Sequence, residues 1–106
     1  MEHKTTYHKL VRDNIPAIIR GTGKTCLTRI LSEEEYLRAL NAKHEEELVE
    51  YLATRDIEEL ADLEEVLRAV LETKGISYEE FETLRAKKKE ERGGFCDRVL
   101  LENVSG

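Results

Sequence analysis

A chain of 106 residues with 38 % charged and 40 % hydrophobic residues and no Trp has room for one domain with a small core. Its net charge of −6 argues against a general nucleic-acid binder, and it has no basic stripe with interleaved aromatics. No apolar run approaches the ~20 residues of a membrane-spanning helix. With no charged-then-apolar leader either, the expectation is a cytoplasmic protein in which Cys26 and Cys96, which lack metal-ligand spacing, are free thiols.

In chain order, residues 7–20 (YHKLVRDNIPAIIR) start extended and become a short helix at Pro16, a residue suited to a first helical turn. Gly21-Thr22-Gly23 reads as a loop. Residues 25–31 (TCLTRIL) are β-branched and apolar enough for a short strand. Three helices follow. Ser32 with Glu35 is a capping box opening a helix to about Ala53. Asp56 with Glu59 repeats the spacing and opens a second, to about Lys74, with Gly75 as its stop. Ser77 with Glu80 opens a third, ending near Arg92 before Gly93-Gly94. Residues 95–101 (FCDRVLL) read as a second strand that can pair with the first. The expected fold is mostly α: an antiparallel helical bundle with a small β element from N- and C-terminal strands.

Charge is unevenly spread. Residues 1–31 carry six Lys/Arg and two acids, residues 32–82 five and seventeen, and residues 83–106 six and four. An acidic centre with basic flanks suits a cation in the middle and phosphates at the edges, although many helix surfaces are simply acidic.

A helical wheel at ~100° per residue sharpens this. On the first main helix Tyr36, Leu37, Leu40, Leu48, Tyr51 and Leu52 share a face. Glu47 falls inside that arc and Glu50 at its edge. On the next, Ile57, Leu60, Ala61, Leu63, Val66, Leu67, Val70 and Leu71 form a wide arc that contains Glu59 and has Asp62 at its margin. A carboxylate among aliphatic side chains is costly without compensation. The short connection at Thr54-Arg55 makes the helices antiparallel neighbours, so the two i, i+3 pairs face one another. A hard divalent cation with oxygen ligands turns their repulsion into coordination. Mg²⁺, which takes a few carboxylates, waters and substrate phosphates, fits such an open site. The plainer readings are that Glu59 serves an Asp56 capping box and that Glu45-Glu46-Glu47 is a solvated face.

These residues also carry a resemblance. Glu46-Glu47-Leu48-Val49-Glu50 followed by Glu59-Leu60-Ala61-Asp62 resembles the EExxE…ExxD signature of the MazG-like, all-α nucleoside triphosphate pyrophosphohydrolases, a superfamily that includes phosphoribosyl-ATP pyrophosphohydrolase and the dimeric dUTPases. Lys9 to Pro16 (KLVRDNIP) and Glu91 to Phe95 (ERGGF) followed by Arg98-Val99-Leu100-Leu101 resemble the opening and the ending of a small subgroup. Together the blocks span nearly the whole chain. Two departures stand out. The stretch between Glu50 and Glu59 is short, which implies a tight hairpin without an inserted specificity loop. His44 stands where the subgroup carries an aliphatic residue, and is read as a packed core residue.

The resemblance implies hydrolysis of a nucleoside triphosphate between the α- and β-phosphates. Glu47, Glu50, Glu59 and Asp62 hold Mg²⁺ (or Mn²⁺), and Glu46 with Glu47 form the catalytic pair around the attacking water. Lys9, Arg12, Lys88 and Arg92 clamp the phosphates. Gly93-Gly94 either lets backbone approach a phosphate or only ends the helix. The superfamily and the apolar helix faces both point to a homodimer. The alternatives are a phosphoribosyl-ATP substrate, or a non-enzymatic metal-binding dimerisation module.

Overall fold

A computed structural model describes residues 8–106; the first residue of the segment 7–20 lies outside the described residues. Four helices follow in order: α1 (Ile15–Gly21), α2 (Glu33–Thr54), α3 (Ile57–Thr73) and α4 (Tyr78–Arg92). The chain is mostly α, as its periodicity implied, and among the described residues no helix is long and apolar enough to cross a membrane.

The helix starts follow local chemistry. Pro16 stands in the first turn of α1. Ser32 and Glu35 form a full capping box: the Ser32 hydroxyl accepts from the Glu35 N–H at 3.2 Å, and the Ser32 N–H donates to Glu35 Oε1 at 3.3 Å. Ser77 caps α4 by accepting from the Glu80 N–H at 3.1 Å. The start of α3 differs from expectation. Asp56 occupies the N-cap position without a side-chain cap bond, and its N–H donates instead to the Thr54 hydroxyl at 3.2 Å.

A two-residue connection, Arg55-Asp56, turns α2 back on α3. Arg55 takes the left-handed conformation (φ 63°), and its N–H closes on the Tyr51 carbonyl at 2.7 Å. This hairpin holds the core, in which Leu40, Val66 and Leu71 are buried. The turn into α4 uses Gly75 at φ 69°, a left-handed position that glycine adopts without steric cost. Near its start α4 meets α3, where the Tyr78 hydroxyl donates to Glu64 Oε1 at 3.2 Å and the Arg68 guanidinium lies 3.9 Å from the Tyr78 ring centroid.

The small β element does not form among the described residues. Residues 24–32 and 99–106 carry no regular structure, and Leu27, Ile30 and Phe95 are 95–99 % exposed. Strand propensity mostly expresses packing on a pleated surface, and an isolated strand pair is marginal in water. Nothing among the described residues supplies that surface. The radius of gyration is 19.0 Å, against ~13 Å for a compact 100-residue domain. The single chain therefore leaves much apolar surface uncovered.

Candidate metal centre

The α2–α3 hairpin brings three of the four expected acids together. Glu47, Glu50 and Glu59 each offer a carboxylate oxygen within 4.8 Å of the others. Oxygens sharing one Mg²⁺ at 2.0–2.1 Å stand ~2.9 Å apart when adjacent and ~4.2 Å apart when opposite, so the three side chains are grouped and close further on an ion.

Burial falls unequally on the three. Glu47 is 6 % exposed, Glu59 half-buried and Glu50 exposed. Glu47 Oε2 and Glu59 Oε2 are both buried without a hydrogen-bond partner. Burial raises the Glu47 pKa above the usual carboxylate range, and the nearby Glu50 adds to the effect against the opposing pull of Lys43. Orphaned carboxylate oxygens are costly. Two of them, beside a third acid open to solvent, fit a hard cation that keeps part of its water shell.

Asp62 stands one turn after Glu59 but outside the three-oxygen cluster. Its Oδ1 accepts from Arg12 Nη2 at 2.6 Å. Two residues expected to hold different parts of one ligand are thus bound to each other. Glu46 is half-buried at the side of the site, with Lys43 Nζ 3.4 Å and Lys9 Nζ 3.7 Å from its Oε1. Lys9 and Arg12 therefore both reach the acidic centre from the segment before α1.

Lys88 and Arg92 are not brought to the acids. Both are exposed on α4 and form no ion pair among the described residues. The helix is 15 residues long, which puts Arg92 ~21 Å along the axis from Tyr78. Gly93 ends α4 at φ 83°, and a side chain there or at Gly94 meets no backbone, so helix termination accounts for the pair.

A further side chain joins the acidic cluster. Lys43 Nζ lies 3.2 Å from Glu47 Oε1 as well as beside Glu46. Burial works against its charge, but its hydrogen bonds to and attraction by Glu47 and Glu46 outweigh this and raise its pKa. The i, i+3 and i, i+4 spacing to two acids was the available signal.

His44 lines a groove of about 370 Å³ with Leu48, Leu60, Leu63, Glu64 and Leu67; it is half-buried rather than enclosed in a core. The cysteines are free, Cys26 half-buried and Cys96 exposed.

No family model matches the chain, and no solved structure matches it. It is similar to an uncharacterized protein of Mycolicibacterium smegmatis, at 52 % identity over 50 residues. The match covers 45 % of this chain and 51 % of that protein, so the chain spans about half the relative's length.

Proposed function

We propose that this chain is a MazG-like, Mg²⁺-dependent nucleoside triphosphate pyrophosphohydrolase. One observation carries the reading beyond the motif resemblance: the unpartnered, buried Glu47 Oε2 beside Glu50 and Glu59, which asks for a cation. Glu47, Glu50 and Glu59 hold it, with Asp62 as the fourth ligand. When bound, the ion neutralises phosphate charge and lowers the pKa of a coordinated water.

The residues of this chain do the rest. Glu46, beside Glu47 and within reach of solvent, accepts the proton of the attacking water. The water oxygen bonds to the α-phosphorus, and the bridging oxygen leaves with the pyrophosphate, giving the monophosphate. Lys9 and Arg12 hold phosphate oxygens at the rim of the site. Lys88 and Arg92 join them by way of a second copy of the chain.

That copy is part of the proposal. The groove of Leu48, Leu60, Leu63 and Leu67 is apolar and open, and the three aliphatic residues buried among the described residues are a small core for a chain of this length. A homodimer closes the groove as a MazG-like bundle, and gives the non-helical segments 25–31 and 99–101 a partner to pair with. The unpaired thiols suit a cytoplasmic enzyme.

Pyrophosphate release with Mg²⁺ across canonical and modified nucleotides, phosphoribosyl-ATP included, tests the activity and names the substrate. Release from at least one nucleotide, lost in Glu50→Gln, is the expected result. Release from none overturns the enzyme and leaves a metal-binding helical module.

A further inference from the structure

We infer that Arg12 gates the acidic site: its guanidinium keeps Asp62 out of the ligand set until a phosphate-bearing ligand draws it away. The site then takes a cation together with an oxyanion in preference to the free cation. This rests on the metal reading above and deepens it.

The geometry is specific. Arg12 belongs to the non-helical segment before α1, and its Nη2 reaches across to Asp62 Oδ1 on α3 at 2.6 Å. Asp62 follows Glu59 by one helical turn, so the two carboxylates share a side of the helix. Glu59 Oε2 is buried and unpartnered, while Asp62, the acid best placed to join it, is held by a guanidinium. Lys9, from the same segment, lies 3.7 Å from Glu46 on α2. The segment thus sets one cation against each helix of the hairpin.

The Arg12–Asp62 pair is suited to opening. The two side chains are 57 % and 40 % exposed, and ion pairs so hydrated shift an equilibrium by only about one-and-a-half- to fivefold. Arginine can grip a phosphate-type oxyanion through two parallel N–H bonds, whereas it meets Asp62 through one. An oxyanion therefore competes for Arg12, and its binding releases Asp62 towards Glu59. By linkage, cation and oxyanion each tighten the other's binding. A purely structural pair predicts no such coupling.

The test is Mn²⁺ binding by calorimetry to the full chain, with helicity matched by circular dichroism, for wild type, Arg12→Ala, Asp62→Asn and the double variant. Sulfate, a weakly chelating tetrahedral oxyanion, serves as the probe, against chloride at equal ionic strength. Arg12→Ala should tighten Mn²⁺ binding by about two- to fivefold, and the gain should vanish in the Asp62→Asn background, which a double-mutant cycle isolates. Sulfate should tighten Mn²⁺ binding to wild type and not to Arg12→Ala. Unchanged affinity in Arg12→Ala, with wild type binding Mn²⁺, overturns the gate and leaves the metal site standing. A gain that persists in Asp62→Asn reduces Arg12 to a general charge effect and also overturns it. Failure of wild type to bind Mn²⁺ removes the metal reading and the gate together.

Discussion

Lys43 and Glu47 form an ion pair within one turn of α2, Nζ to Oε1 at 3.2 Å, and it satisfies only half of the buried carboxylate. Lys43 is thus the resident counter-charge of the acidic cluster, and a bound cation would compete with it. Lys43→Met should destabilise the metal-free protein by about 1–3 kcal/mol, the cost of leaving a buried charged group short of its partner. It should also tighten Mn²⁺ binding, because a positive charge beside the ligands is gone. Calorimetric melting in EDTA and in Mn²⁺ reads both effects; weaker Mn²⁺ binding in the variant makes Lys43 a support of the site and not a competitor.

Cation binding should itself stabilise the hairpin. A ligand that binds only the folded state adds ~2.7 kcal/mol at a hundredfold excess over its Kd. Mg²⁺ or Mn²⁺ should therefore raise the melting temperature of the wild type, by about 4–8 °C for each kcal/mol gained in a domain of this size. Glu59→Gln should abolish that rise. An equal rise in wild type and variant places the ion elsewhere.

Glu47→Gln separates stability from function. The buried carboxylate is held at a cost by the fold, so replacing it with an uncharged isostere should raise the EDTA melting temperature or leave it unchanged, while pyrophosphate release disappears. A variant that melts lower and still releases pyrophosphate contradicts both halves of the assignment.

The start of α2 carries a pH dependence. Hydrogen bonding from Arg29, then from the Ser32 backbone and hydroxyl, lowers the Glu35 pKa from 4.5 to about 2. A depressed carboxylate stabilises fully above its unfolded value, and the contribution is lost as pH falls through the folded one. Wild type should thus lose stability between about pH 4.5 and pH 2, beyond the loss in Glu35→Gln. Urea midpoints across that range measure it, and parallel curves for the two proteins would remove Glu35 from the acid response.

The groove makes an assembly prediction. Leu60→Lys with Leu63→Glu puts charge where Leu48 and Leu67 stand open, and a stable interface needs roughly 800 Å² from each partner. Sedimentation should show a wild-type dimer and a monomeric variant of similar helicity. A wild type that is monomeric at tens of micromolar disposes of the dimer.

The helical part of this architecture was legible because its signals are local. Ser32 with Glu35 and Ser77 with Glu80 satisfy backbone groups three residues away, and both caps form as spaced. The Asp56 cap had the same spacing and does not form: the Glu59 N–H donates to the Asp56 carbonyl at 3.1 Å, and the Thr54 hydroxyl takes the Asp56 N–H. The strands expected at 25–31 and 95–101 do not form in the single chain because their composition states a preference for a surface that must be supplied from elsewhere, and residues 95–98 close into a turn with Arg98 left-handed at φ 56°. Within the site, Glu47 and Glu59 were visible as intruders on apolar faces, and they are the residues with orphaned oxygens. The Arg12–Asp62 bond joins positions 50 residues apart, and no periodicity encodes a contact of that range.

The two-residue turn at Arg55-Asp56 has an evolutionary consequence. It fixes the phase of α3 against α2, so one residue inserted in the first turn of α3 rotates Glu59 by ~100° and carries its carboxylate off the shared face. An insertion there has to be matched by a compensating change in the turn for the acidic cluster to survive.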